Sequence, residues 1–369
     1  MIDVTEFYQY LVGKGFDFFA GVPDSLLKDL CSCIDELCPQ KQQVTAANEG
    51  NAVALAAGYH LSSGNYGVVY MQNSGLGNAV NPLLSLLDEA IYQIPVLFVV
   101  GWRGEPGAAD EPQHVKQGKV TLPLLESIGL EYMVLADDYR PQIDHCSQLI
   151  STGKKPVVLV VRSGMFTPYA GAKRPERYTL TRETALDLIT ERLEEDDFIV
   201  STTGKTSREL FELRERKGQR HSHDFLTVGA MGHTASLAFG MALGTDKNIY
   251  CIDGDGSFLM HMGSLGVIGS RRQENFRYIL INNGVHDSVG GQPTAAFLLD
   301  LKKILSGCGF DQVLIVEHEA ELVAALQRQR AVPLTALIVH TRSGARKDLG
   351  RPSGSLQEYK RQFTEAIRG

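Results

Sequence analysis

The sequence has no apolar run of the roughly 18 residues that a membrane-spanning helix needs, so a helical span is not expected. Its opening, Met1 to Glu6, shows no basic region followed by an apolar stretch, so no secretory signal is expected and the cytoplasm is the expected location. Cysteine is sparse, six residues in 369. The one cluster, Cys31, Cys33 and Cys38, lacks the paired spacing of a zinc site, and reduced, packed thiols are expected. Positive charge is not in excess either: 36 Lys and Arg against 43 Asp and Glu leave a formal net charge of −7. Nucleic acid and anionic membrane surfaces are therefore disfavoured as partners, and a site for an anionic substrate must gather basic residues locally.

Several common catalytic signatures are missing. Gly204-Lys205-Thr206 resembles the end of a phosphate-binding P-loop, but Ile199 stands where that motif needs its first glycine. Gly254-Asp255-Gly256 resembles a dinucleotide fingerprint, but Leu259 takes the third glycine position. There is no Gly-x-Ser-x-Gly elbow and no His-Glu-x-x-His helix, so serine hydrolase and zincin chemistry have no basis.

What is present is a rhythm. Hydrophobic residues make up 43% and charged residues 21%, the balance of a globular chain long enough for two domains. Short apolar runs rich in β-branched and aromatic residues alternate with helical patterns. In the first half they are 16–22, 43–47, 66–71, 95–101, 131–135 and 156–161. A polar stretch rich in Pro, Arg, Lys and Gly, 167–177, reads as a linker. The rhythm then restarts at 198–201, 225–228, 249–252, 278–281, 313–316 and 335–339. Continuous apolar runs suit strands covered on both faces, so the pattern predicts an α/β chain of two doubly wound parallel-sheet domains, about 1–170 and 178–369, with no middle domain. In such sheets ligands bind at the carboxyl ends of strands.

Two of those ends carry a matched pair. The run 249–252 leads into Asp253-Gly254-Asp255-Gly256-Ser257, and 25 residues intervene between Gly256 and Asn282-Asn283-Gly284. A carboxylate and a carboxamide at neighbouring strand ends, with glycines that allow close backbone approach, suit Mg²⁺ holding a diphosphate. Two turns that happen to contain Asp and Asn are the plainer reading of the same residues.

This pair resembles the diphosphate-binding motif of the thiamine-diphosphate-dependent 2-oxo acid decarboxylases. The resemblance implies thiamine diphosphate and Mg²⁺ as cofactors, a pyrimidine-binding first domain and a diphosphate-binding second one. It implies Asp255, Asn283 and the Val285 carbonyl as metal ligands, with Gly254, Gly256 and Ser257 around the diphosphate. Glu49, in Ala47-Asn48-Glu49-Gly50, matches the glutamate that bonds the aminopyrimidine ring, although a first-turn glutamate complementing a helix dipole fits locally too. Gly229-Ala230-Met231-Gly232 matches the loop whose first carbonyl meets the cofactor amino group. Met231 would wedge beneath the bent cofactor; without the family it is a buried methionine. Asp24, His114 and His286 are further catalytic candidates, the last in a glycine-rich segment, 282–292, that would act as a lid.

Most members of this family carry a third domain, for which 369 residues leave no room. The compact branches are the phosphonopyruvate and sulfopyruvate decarboxylases. The segments 21–25, 111–114, 203–210, 286–294 and 346–352 resemble the former. The branch implies a small 2-oxo acid bearing a second anionic group, and a homo-oligomer with active sites at subunit interfaces. Ser25, Lys205, Arg208, Arg346 and Lys347 are the substrate candidates, with Arg103 and Lys116 behind them. A carboligase using the same cofactor residues and a cofactor-binding protein without catalysis are the competing classes.

Overall fold

The computed structural model describes residues 1–171 and 175–369. Among these the chain forms two six-stranded sheets. The first holds β1 (Phe16–Gly21), β2 (Gln43–Thr45), β3 (Tyr66–Gln72), β4 (Val96–Gly101), β5 (Glu131–Val134) and β6 (Val157–Val161). The second holds β7 (Asp197–Ser201), β8 (Asp224–Leu226), β9 (Asn248–Gly254), β10 (Phe276–Asn282), β11 (Gln312–Val316) and β12 (Thr335–His340). Every strand expected from the apolar runs is present. Where a strand is longer than its run, polar residues complete it: β9 continues through Asp253 because that carboxylate accepts bonds from the Gly254 amide (3.0 Å) and the Tyr278 hydroxyl (3.1 Å).

All strand pairings are parallel. The first sheet runs β2-β1-β3-β4-β6-β5 and the second β8-β7-β9-β10-β12-β11, the same order with each strand advanced by six. In each, the connections leave in opposite directions from the first and third strands, β1 and β3 or β7 and β9. The crevice beyond their carboxyl ends is where a doubly wound sheet binds its ligand.

Both sheets are covered on both faces. Along β6, Val157, Leu159 and Val161 pack into one core with Phe7, Leu11, Leu30 and Ile34, while Val158 and Val160 pack into the other with Ala52, Val53 and Leu76. Along β12, Ala336 and Ile338 face one core and Leu337 and Val339 the other. Alternation of side chains across the pleat explains why Val157–Val161 and the inner positions of β12, 336–339, are apolar without a break.

By internal contacts the chain divides into two compact units, Met1–Lys173 with Ser288–Gln292, and Arg174–Asp287 with Pro293–Gly369. The expected linker contains residues 172–174, which lie outside the described residues; its remaining residues form no helix or strand. Its near end is anchored by the Thr167 amide on the Ile2 carbonyl (2.9 Å) and its far end by Glu176, which accepts the Ser343 amide (3.0 Å). Among the described residues no helix is long and apolar enough to cross a membrane.

Candidate active site

In the first unit the carboxyl ends of the strands gather two buried carboxylates. Glu49 opens the helix Glu49–Ser63, whose N-cap is Asn48: its side chain accepts the Asn51 amide at 2.9 Å, and the helix closes on Gly64 in the left-handed conformation. Glu49 is only 5% exposed, and its carboxylate accepts a bond from Asn78 Nδ2 at 2.7 Å. A side chain at Gly75, in the short turn after β3, would overlap that carboxylate.

Asp24 follows β1 and is fully buried. Its Oδ2 accepts the Leu26 amide at 3.0 Å, while its Oδ1 finds no partner among the described residues. Burial pushes its pKa up to about 6, against the pull of the Leu26 amide and the nearby Arg103 cation.

A polar network lies after β4. Arg103 binds Asp110 through two nitrogens and donates to Ser25 Oγ at 2.6 Å; Asp110 also meets His114 Nδ1 at 2.9 Å and accepts the Gly104 amide at 2.7 Å. Burial alone would raise the Asp110 pKa, yet Arg103 and His114 hold it well below the usual range. His114 is shifted down, chiefly by burial and against the effect of Asp110, and is neutral near pH 7. Ser25, Arg103 and His114 are thus brought together; Lys116 is exposed.

The second unit places Asp255 at the end of β9, as the first residue of the helix Asp255–Met260. It is 4% exposed and accepts Thr294 Oγ1 at 2.5 Å. Burial raises its pKa to about 7 although the Thr294 hydroxyl and the amides of Gly256 and Gly284 favour the anion. A carboxylate sealed from water with donors already aimed at it is the type of group that a divalent cation compensates.

At the end of β10 the two asparagines divide. Asn282 is turned inward, its Oδ1 accepting the Gly284 amide at 3.1 Å, while Asn283 Oδ1 accepts the Val285 amide at 3.2 Å. The Val285 carbonyl accepts the Asp287 amide at 2.9 Å, which leaves its second lone pair for another partner. Among the described residues no three His, Cys, Asp or Glu side chains cluster as a ligand set. A cation here would rest on one carboxylate, a carboxamide, a carbonyl and oxygens that its ligand brings.

Gly256, Met231 and His286 come together. A Cβ at Gly256 would lie 3.0 Å from His286 Nδ1 and 3.3 Å from Met231 Cε. Burial lowers the His286 pKa to about 4, so the ring is neutral near pH 7. Ser257 is engaged, its hydroxyl accepting the Gly232 amide at 3.1 Å. Gly254 lies at the end of β9 and Gly229 beyond β8, both partly exposed. The segment expected as a lid is pinned at its ends by a bridge between Val285 and Pro293 and by the Thr294 amide on the Gly284 carbonyl (2.9 Å).

Basic candidates separate by their partners. Lys205 opens the helix Lys205–Arg216 after β7 and pairs with Asp287 at 3.2 Å, and Arg208 sits one turn further on. Asp287 also accepts Arg182 Nη1 at 3.0 Å and the Gly344 amide at 3.2 Å, and Arg182 is itself bidentate on the buried Glu209 (2.7 and 2.9 Å). Arg346 is shared among Glu183, Glu212 and Asp348, and Lys347 is exposed. Thr294, Asn78, Asp110 and the Arg182–Glu209–Asp287 group had no role assigned from sequence. Thr294 lies 39 positions from the carboxylate that it bonds, so no local spacing marks it.

The chain matches the thiamine pyrophosphate enzyme N-terminal TPP binding domain over residues 4–122 and the C-terminal TPP binding domain over residues 202–340. It is 34% identical to the phosphonopyruvate decarboxylase of Streptomyces viridochromogenes, across 98% of this chain and 94% of that protein. The chain belongs to the phosphonopyruvate decarboxylase family. A second relative of that name, from Streptomyces hygroscopicus, is 35% identical across 99% of this chain and 94% of its own length. The sulfopyruvate decarboxylase of Methanosarcina acetivorans is 26% identical across 86% and 85%. As a member of the phosphonopyruvate decarboxylase family, the chain is a decarboxylase that depends on thiamine pyrophosphate, the diphosphate ester of thiamine.

One prediction concerns Asp24. With its folded pKa raised, the unfolded chain ionises first as pH climbs, so stability is lost between about pH 4 and pH 6 and the loss persists above. Asp24→Asn removes that ionisation. Urea unfolding should show the Asp24→Asn variant gaining roughly 1–3 kcal/mol over the parent at pH 7.5 and nothing comparable at pH 4. An equal margin at both pH values contradicts the burial of an ionisable Asp24.

Proposed function

We propose that this chain decarboxylates 3-phosphonopyruvate to phosphonoacetaldehyde and CO₂, using thiamine diphosphate and Mg²⁺. The observation that carries the proposal is the buried Asp255 carboxylate beside Gly256 at the end of β9, in a chain similar along nearly its whole length to two phosphonopyruvate decarboxylases. When bound, thiamine diphosphate supplies the sink for the electron pair that departing CO₂ leaves behind. Asp255, Asn283 and the Val285 carbonyl would hold Mg²⁺. Gly254 and Gly256 would leave room for the diphosphate, and the Gly229 carbonyl and Met231 would orient the rest of the cofactor. Glu49, fixed by Asn78, would hold a proton on a pyrimidine ring nitrogen.

His114 and His286, both neutral near pH 7, are suited to accept or return protons around the reacting carbonyl. Asp24, with its raised pKa, is suited to the same work.

Substrate choice is a matter of charge, because an unpaired dianion in a closed pocket is costly. Ser25, oriented by Arg103, and Lys205 with Arg208 are the better placed candidates for the second anionic group. Arg346 is already compensated by three carboxylates, and exposed Lys347 ranks with it. A homo-oligomer with sites at subunit interfaces is part of this reading. The mainly apolar helices Glu49–Ser63 and Thr234–Ala242 expose Leu55, Leu61 and Leu237, which supports an apolar partner surface. The cytoplasm is the proposed location.

Turnover of phosphonopyruvate, sulfopyruvate and pyruvate, with product analysis, tests the proposal. The highest kcat/KM is expected for phosphonopyruvate, with phosphonoacetaldehyde as the product. Preference for sulfopyruvate moves the assignment to that branch, and a ligated product moves it to a carboligase. Glu49→Gln should lower kcat by about 10²-fold or more while cofactor binding persists. A variant with parental turnover removes Glu49 from the chemistry.

A further inference from the structure

The turn Gly229–Gly232 has an unusual backbone: Ala230 lies at φ +54° and Gly232 at φ +86°. For a residue with a Cβ such a conformation is unfavourable and persists only where the surroundings hold it. Three bonds do so. The Gly232 amide donates to Ser257 Oγ at 3.1 Å, His233 Nδ1 lies 3.1 Å from the Met231 carbonyl, and His261 Nδ1 lies 3.2 Å from the Gly232 carbonyl. Because a carbonyl only accepts, each imidazole carries a proton on Nδ1 in these bonds. The two rings meet edge to face with centroids 4.5 Å apart, so each restrains the other. A Cβ at position 232 would come within 2.5 Å of His261 Nδ1, which explains a glycine opposite this histidine.

His261 directly follows the helix Asp255–Met260. That helix also carries Gly256, whose open face receives Met231 Cε and the His286 ring. One imidazole therefore ties the end of the Asp255 helix to the turn that presents Met231. The Met231–Gly232 peptide is held at its carbonyl by His233 and at its amide by Ser257, and His261 holds the carbonyl of the next peptide, which leaves this stretch little freedom to rotate. A pair of packed histidines with no effect on the site is the competing explanation.

We propose that His261, supported by His233, is a positioning residue that sets Met231 against the Asp255 helix. Met231 then has one fixed height at the place where the cofactor bends. This rests on the reading that the turn faces thiamine diphosphate.

The test compares His261→Leu, which keeps bulk but loses the donor, with His261→Asn, whose amide nitrogen takes the place of Nδ1. In cofactor-free protein, amide hydrogen exchange of the peptide covering 229–233 should be roughly fivefold or more faster in the Leu variant, the loss of about one hydrogen bond, and restored in the Asn variant. In protein loaded with thiamine diphosphate and Mg²⁺, exchange of the thiazolium C2 proton should slow about 10- to 100-fold in the Leu variant and stay within about threefold of the parent in the Asn variant. Should His261→Leu not fold, His261→Gln takes its place, since its amide reaches the Nε2 position and not Nδ1. Parental rates in the Leu variant for both measurements, or an Asn variant no better than Leu, overturn the proposal alone. A parent that binds no thiamine diphosphate overturns the underlying reading with it.

Discussion

Asp255 is a carboxylate sealed at the end of a central parallel strand, and the second unit is arranged around its cost. Burial carries its pKa up to about 7 against the pull of the donors around it. Thr294 returns from the far side of a pinned loop to bond it, and the Gly284 and Gly256 amides point at it. The same strand end must leave space, so a glycine follows, with Met231 and His286 against its open face. These neighbours come from the connections after three strands: Met231 after β8, Gly256 after β9, and Gly284, His286 and Thr294 after β10. Parallel topology makes that possible, because every connection after a strand begins on the same edge of the sheet.

The two units share one strand order yet prepare different chemistry. In the first, the residues beyond the strands are Glu49 and Asp24, carboxylates held by side-chain amide and backbone donors and suited to proton transfer. In the second, glycine turns and hard oxygen donors suit a cation and a diphosphate. A cofactor with a basic ring at one end and a diphosphate at the other needs both kinds of environment, which a repeated fold supplies with two sets of connections.

The strands were readable in the sequence because burial on both faces makes a continuous apolar run, and only polar ends such as Asp253 escaped it. Asp255, Asn283 and Glu49 could be proposed from the sequence because their motifs are local to one strand end or one helix start, and the fold places them at those ends. Asn78, Thr294 and His261 could not, since each acts on a residue brought to it by another connection. Basic residues were the least readable. Nothing in the sequence distinguishes Arg346, enclosed by Glu183, Glu212 and Asp348, from Lys205, which shares Asp287 with Arg182. Charge type is visible in a sequence, but the partners that neutralise it are not.

In the proposed function Asp255 and Asn283 complete their coordination with a divalent cation that carries the diphosphate. Calorimetric titration of the parent and of Asp255→Ala with thiamine diphosphate, each in Mg²⁺ and in excess chelator, tests it most directly. Tight binding is expected only for the parent in Mg²⁺, with affinity falling about 10-fold or more when either the metal or the carboxylate is removed, and no further loss when both are. Equal affinity of the parent with and without Mg²⁺, or a variant that binds as the parent does, would contradict it.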